Sequence, residues 1–469
     1  MGSPPPQHRS GVFAFVKEAI SGTRQDFTEG SLSRAIALLA IPMVLEMSME
    51  SLFGVVDAYF VNRVGKDAVA TVVLTESVLI LIFGVAIGLS ISTTAFVARR
   101  MGEKNPEGAA HAAAQAIWLG VIVAVVTGII GAWNAPRILR LMGASETIIQ
   151  SGSGFTTLML GGSVTIFLLF LLNAVFRGAG DASMALRSLI VANCINIALN
   201  PCLILGLGPF PELGVLGSAV ATNIGRGTGV LYQLYSLVSG KGRLRVQKHH
   251  WQWDPALAWR MLRNSFSAMI QVQIGMASWN GMVRIMAMFG SEALAGYGLA
   301  VRTIVVAILP AFGMSNAVAT LVGQNLGAGK PERAEKSIWI TGFYNMIFLG
   351  FTALAFVTIP ERIIGLYQPD PAIIPYGAAC LRIVGYGYLL YAWGLVTVQA
   401  FNGAGDTRTP TMVNLFVYWV LQIPLAYLLA VKAGFGPNGL FWAITIAQCS
   451  LAMIGVVLVR RGRWKTVRI

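Results

Sequence analysis

The sequence predicts an all-α polytopic membrane protein: twelve transmembrane helices in two homologous six-helix bundles with a central cavity. Composition is the first observation behind this, since 55% of the 469 residues are hydrophobic, only 12% are charged and the mean hydropathy is +0.68. The second is a run of apolar segments, each long enough at ~1.5 Å per residue to cross a ~30 Å hydrocarbon core. The third is an internal repeat that divides these segments into two sets.

The apolar segments fall at 34–62, 69–98, 112–133, 151–176, 188–206, 215–239, 264–289, 294–322, 337–359, 378–401, 411–430 and 439–459. They predict a cytoplasmic N-terminal tail over 1–30, an N-terminal bundle over 31–239, a cytoplasmic linker over 240–255, a C-terminal bundle over 256–459 and a basic cytoplasmic tail over 460–469. The first 30 residues lack a signal peptide's uninterrupted apolar core and cleavage site. Pro6 occupies the Ser/Thr position of a myristoylation motif, which argues against that modification. FAFVKEAI at 13–20 reads as a short amphipathic surface helix or as a disordered lead-in.

The formal net charge of +14 would suit nucleic acid until the charges are placed. With the N-terminus inside, the outside loops hold only Arg63, Lys66, Arg137, Arg140, Arg362 and Lys432, whereas most other Lys and Arg residues lie inside. This is the positive-inside pattern, so both termini are expected in the cytoplasm of a cell (inner) membrane protein, with no nucleic-acid partner. Cys194, Cys202, Cys380 and Cys449 lack metal-ligand spacing and read as small buried hydrophobes. His8, His111, His249 and His250 fall outside the spans or at their inner ends, so a histidine relay across the membrane is not expected.

FRGAGDAS begins at residue 176 and FNGAGDTR at 401, an offset of 225. The same offset aligns VARRMGEKNPEGA (97–109) with VGQNLGAGKPERA (322–334). One shift holding over such a length indicates homologous halves. Six spans per half place both halves in the membrane in the same orientation, as in parallel-repeat transporters, where rocking of one half against the other gives alternating access. In each GAGD turn, glycine ends one helix and Asp181 or Asp406 caps the next.

Catalytic and nucleotide motifs fail. QNLGAGKP (324–331) has Gln324 in place of the first phosphate-loop glycine and Pro331 in place of Ser/Thr. GFGPNG (434–439) follows no strand, and neither HExxH nor GxSxG occurs. No enzyme activity, metal or cofactor is expected. A membrane-embedded enzyme would need a cluster of polar catalytic groups at one interface, which the sequence lacks.

MVLEMSMESLFGVVDAYF (43–60) places Glu46, Glu50 and Asp57 in the first span. At ~100° per residue they share one face, with Phe53 among them. Acids at this depth are costly and face a bundle interior or water. There they can carry a proton or bind a cation. Glu46 and Arg226, in the sixth span, are the expected ion pair. YGYLLYAW (386–393) in the tenth span offers Tyr386, Tyr391 and Trp393 as a cavity wall for flat organic cations.

With twelve spans, paired RGAGD and NGAGD turns, paired G-x3-P-E loops and DAYFVNRVG closing the first span, the sequence resembles the multidrug and toxic compound extrusion (MATE) family over residues 31–459. It looks closest to the branch of the DNA-damage-inducible protein F and archaeal transporters. That resemblance implies a first helix bent at a proline, matched by Pro42, and a coupling acid, matched by Asp57. It implies an N-x-x-x-D-P motif in the fifth span, which here reads NIALNP, so Asn196 matches and Asn200 replaces the aspartate. The implied ion-coupling set is Asp57, Asn196, Asn200 and Thr222, with Glu50 as a candidate for the missing acid. One fewer charge favours a proton over sodium as coupling ion. The function implied is proton-coupled antiport of amphipathic or cationic organic compounds by a monomer. The alternatives are sodium-coupled antiport, or export of a lipid-linked or polar metabolite.

Overall fold

Helices form wherever the apolar runs lie, because a backbone inside hydrocarbon must bond to itself. The computed structural model describes residues 12–22, 25–240 and 242–469. The tail 1–11 and the side chains of residues 12, 51–53, 55 and 58 lie outside the described residues, and with them the cavity role expected of Phe53. A short surface helix, Val12–Ser21, occupies the amphipathic lead-in.

The first bundle consists of α1 (Leu32–Val61), α2 (Lys66–Gly102), α3 (Pro106–Leu141), α4 (Glu146–Ala179), α5 (Ala182–Leu205) and α6 (Val215–Ser239). The second consists of α7 (Pro255–Met286), α8 (Ser291–Gly327), α9 (Pro331–Thr358), α10 (Ile374–Ala404), α11 (Arg408–Lys432) and α12 (Pro437–Arg461). Ten of the described helices are long and apolar enough to cross a membrane. The remaining two of the twelve, α6 and α7, are the more polar ones and pack among them. α1 runs unbroken through Pro42, which cannot supply the N–H that would bond back to Leu38. α11 is wound as a π-helix at Leu415–Gln422 and Leu428–Lys432, on either side of Pro424. Of the four cysteines, Cys380 alone is buried; Cys194 is exposed on the outer face of α5, where an apolar environment suits it equally well.

The repeated sequence becomes a repeated crossing. Gly102 on α2 and Gly327 on α8 are repeat equivalents, and each faces the other helix's backbone. A Cβ on Gly102 would collide with the Gln324 carbonyl, and one on Gly327 with that of Arg99. Further along the same seam, Gly313 on α8 lies against the backbone of Met43, Gly88 on α2 against Met269, and the Ser92 hydroxyl donates to the Met261 carbonyl at 3.1 Å. Gln273 donates to the Leu81 carbonyl at 3.0 Å near the middle of α2 and α7. The halves are thus sealed together on the side that carries both termini, by backbone contacts that small residues permit. The GAGD turns join the seal: the Arg177 and Gly178 carbonyls accept from Thr320 (3.0 Å) and Gln324 (2.9 Å) of the other half. Gly180 and Gly405 adopt the left-handed conformation that ends a helix. Asp406 caps α11 as expected, accepting from the Thr409 N–H at 3.1 Å, whereas Asp181 accepts from the Ser183 hydroxyl instead of a backbone N–H.

The linker docks on α3 of the first half. The Nε2 atoms of His249 and His250 lie 3.0 and 2.6 Å from one Glu107 carboxylate oxygen. These three groups are close enough together to suggest a metal site. However, the His250 Nδ1 accepts the Gln247 N–H at 2.9 Å, so the ring carries its proton on Nε2 and points it at Glu107. A ring in that tautomer offers no lone pair to a cation, and the cluster is a docking clip. Gln115 donates to the Gln252 carbonyl at 2.7 Å, and Asp254 begins α7 by accepting the Ala256 and Leu257 N–H groups at 3.0 Å.

Chiefly because of the Leu257 N–H, with help from His111 and Ala256, the Asp254 carboxyl titrates below its ordinary value. A depressed folded value means stability that is full above the unfolded value of about 3.9 and lost as pH falls through the folded one. Asp254→Ala is therefore expected to cost about 1 kcal/mol at pH 7, the usual worth of an N-cap. In thermal unfolding of the purified protein, the gap between variant and wild type should narrow as pH drops toward 3.

Candidate functional site

Three helices of the first half converge on Asp57. On α5, Asn196 and Asn200 are four residues apart and so share a face. On α6, Gly217 and Gly225 press against the α5 backbone at Leu203 and Ala192, which brings Thr222 up to the same face. The Asp57 Oδ1 accepts from the Asn200 Nδ2 at 2.5 Å and from the Asn196 Nδ2 at 3.4 Å, and its Oδ2 accepts from the Thr222 hydroxyl at 2.9 Å. The Asn200 Nδ2 also donates to the Asn196 Oδ1 at 3.1 Å. Asn196, Asn200 and Thr222 are buried, and Asp57 is half-buried. Both oxygens of a membrane carboxylate are therefore met by donors from two other helices, which suits its ionised form. The Asn200 Oδ1 is buried without a partner.

The acids along α1 do not behave as one group. Glu50 lies two turns, ~10 Å, from Asp57 along the helix, and the structure does not bring it into these bonds. Glu46, 1% exposed, pairs with Arg177 at 3.1 Å, not with Arg226 as the sequence suggested. The reason is axial register. Arg226 follows Thr222 by one turn and so sits near the level of Glu50, where its charge acts on both Glu50 and Asp57. Glu46 lies further toward the terminus side, at the level of the RGAGD turn. The Arg226 guanidinium also stands 5.6 Å over the Phe83 ring.

The aromatic residues of α10 do not form one wall. Tyr391 is buried in the core of the second half, Tyr386 stacks on Trp442, and Trp393 packs against Trp339. Five residues of helix place Tyr386 and Tyr391 ~140° apart, which the run of letters conceals. Glu76 on α2 was not singled out from the sequence. It is exposed, and the charges of Asp57, Arg226 and, from the other half, Arg302 all act on it. An acid inside an apolar run was the signal that could have found it.

A family model described as MatE matches residues 42–202 and 266–428, one segment in each half. Among curated relatives, the chain is 27% identical over 410 residues to "Probable multidrug resistance protein YoeA" of Bacillus subtilis, covering 87% of this chain and 89% of that one. It is 24% identical over 446 residues to an "FAD transporter" of Shewanella oneidensis, covering 93% and 96%. Among solved structures, "Crystal structure of MATE in the straight conformation" superposes with a TM-score of 0.87 at 23% identity, covering 96% of this chain and 99% of that one. At this identity the last match speaks for the fold alone.

Removing one member of a buried ion pair leaves the other charge stranded. Glu46→Ala should therefore cost about 3–5 kcal/mol, seen as a lower unfolding midpoint in detergent, while E46L with R177M should recover most of the loss. An E46A midpoint equal to wild type would mean that the pair contributes nothing to the fold.

Proposed function

The chain belongs to the MATE family of transporters, and from that premise we propose that it is a proton-coupled antiporter exporting amphipathic or cationic organic compounds, with Asp57 as the coupling acid. The observation that carries this reading is the set of donors around Asp57. Asn200, Asn196 and Thr222 together offer both carboxylate oxygens hydrogen bonds while the acid is ionised. A proton on Asp57 turns one oxygen into a donor: on Oδ1 it meets the amide N–H groups, which must turn away, whereas on Oδ2 the Thr222 hydroxyl can rotate and accept it. Protonation thus rearranges the contacts of α1 with α5 and α6. Proton binding from one side and release to the other would alternate these two arrangements and drive the rocking of the halves.

Proton coupling is favoured over sodium by the chemistry of the set. A hard cation wants several oxygens turned toward it. Here there is one carboxylate, and the amide N–H groups and hydroxyl point at it; the buried oxygen left over is that of Asn200. A proton motive force of ~170 mV gives ~4 kcal/mol per charge, nearly a thousandfold gradient, which is enough for export without ATP. The placement of Lys and Arg supports a cell (inner) membrane protein with both termini in the cytoplasm. We take a single chain as the working unit.

A second reading, export of a polar metabolite on the same architecture, is favoured by the relative named as an FAD transporter. The transport assay separates the two by comparing cationic dyes with flavin nucleotides as substrates.

In proteoliposomes, an imposed pH gradient is expected to drive dye export, and Asp57→Asn should reduce it at least tenfold. Thr222→Val should weaken it less. Sodium-driven export at zero pH gradient would overturn the proton assignment. An E50Q variant as defective as D57N would make Glu50 a second coupling acid.

A further inference from the structure

Two segments outside the spans are held by the half to which they do not belong. Residues 25–30 lead into α1 of the first half. From the second half, Arg333 of α9 donates to the carbonyls of Phe27 (3.2 Å), Glu29 (2.9 Å) and Gly30 (2.9 Å), and Lys330, just before α9, donates to that of Thr28 (3.0 Å). The Phe27 ring is 1% exposed and sits in the seam cluster formed by α1 with Ala317 and Leu321 of α8. On the first-half side the linker's Arg243 lies 4.9 Å over that ring and donates to the Gln25 carbonyl.

Residues 463–469 show the reverse. They follow α12 of the second half, where Trp464 is buried and Lys465 pairs with Glu335 at 2.6 Å. Yet Arg99 of α2, in the first half, donates to the Val467 carbonyl at 2.6 Å and the Ala404 carbonyl at 3.4 Å. Ile469 packs against the core of the first half.

We propose that these segments form a crossed clasp that holds the carrier closed on its terminus side, and that Arg333 and Arg99 are the residues released when it opens there. The proposal rests on alternating access as given above. The halves cannot separate on that side with all these bonds intact. If residues 25–30 stay with α1, the Arg333 and Lys330 bonds break; if they stay with α9, the Arg243 bonds break. The tail meets the same choice at Arg99. Nearly all of the grip is on backbone carbonyls, so it depends on how the segments run and not on their side chains. Arg suits this role because its rigid planar fork aims up to five donors at several carbonyls at once, where Lys has three on a single flexible point charge. The bonds exist only in the closed arrangement, so they shift the equilibrium toward it by their whole differential strength.

The test measures accessibility, not transport. A single cysteine replaces Ala317, which is buried in the seam, in a chain whose own four cysteines are changed to alanine. An impermeant maleimide is then applied from the terminus side of oriented vesicles. Arg333→Ala with Arg99→Ala is expected to raise the labelling rate about tenfold, a typical size for such coupling. R333K with R99K should give an intermediate rate, and K432A on the other side should leave it unchanged. Wild-type labelling in the alanine pair, in protein that elutes as a folded monomer, would overturn the clasp. If the alanine pair does not fold, the lysine pair decides on the same criterion. Labelling needs neither substrate nor coupling ion, so a wrong proton assignment would leave the result standing, and a failed clasp would leave Asp57 untouched.

Discussion

A polar group buried in a bilayer must find its partner inside the protein, because neither lipid nor water will supply one. This constraint orders most of what the structure shows. Asp57 exists at its depth because Asn196, Asn200 and Thr222 bring donors to it from two other helices. Those donors reach it because Gly217 and Gly225 let α6 lie directly on α5. Glu46 exists because Arg177 answers it. Two of the three acids on α1 therefore tie that helix to different neighbours, Asp57 to α5 and α6 and Glu46 to the end of α4. A change of charge at one acid alters one tie and leaves the other in place.

The two halves share a framework but not a chemistry. Gly102 and Gly327 make the same crossing, and the GAGD turns end the same helices. Yet the position of Arg177 in the first half is Asn402 in the second, where it donates to the Gln399 side chain in a chain of amides that includes Asn316. The seventh and tenth spans carry no acid. The repeat supplies the paired crossing, and the acids within the apolar spans, Glu46, Glu50, Asp57 and Glu76, all sit in the first half. In the proposed cycle such a division would let one bundle change state while the other serves as the body against which it moves.

The sequence made the twelve spans, the halves and the members of the Asp57 cluster legible, because each rests on local pattern or on a motif that travels as letters. Asn196 and Asn200 could be paired from their spacing alone. The ion pair that failed needed a second helix to be placed. Glu46 was paired with Arg226 because both are charges in apolar runs, but a sequence does not give the relative height of α1 and α6. The α10 aromatics looked like a wall because adjacency in a chain was read as adjacency in space. Glu76 was overlooked although its signal was as plain as that of Asp57, since no motif surrounded it. The docking of the linker through His249, His250 and Glu107 joins residues more than a hundred positions apart, with no spacing that could have announced it.

Asn200 is where chemistry and family resemblance diverge. An aspartate there would face Asp57 carboxyl to carboxyl, an arrangement that holds together when one proton is shared or a cation lies between. Asparagine replaces that requirement with a donor, so the contact between α1 and α5 can form around an ionised Asp57 with nothing added. In the proposed cycle the arrangement around Asp57 then belongs to the proton-free state, and a proton on the acid would force its donors to rearrange. The Asn200 Oδ1, now without a partner, becomes useful in the other state: if the amide turns over, that oxygen can accept the proton newly placed on Asp57. A single side chain could thus serve both protonation states, donating in one and accepting in the other, which an aspartate could do only by taking up a proton itself.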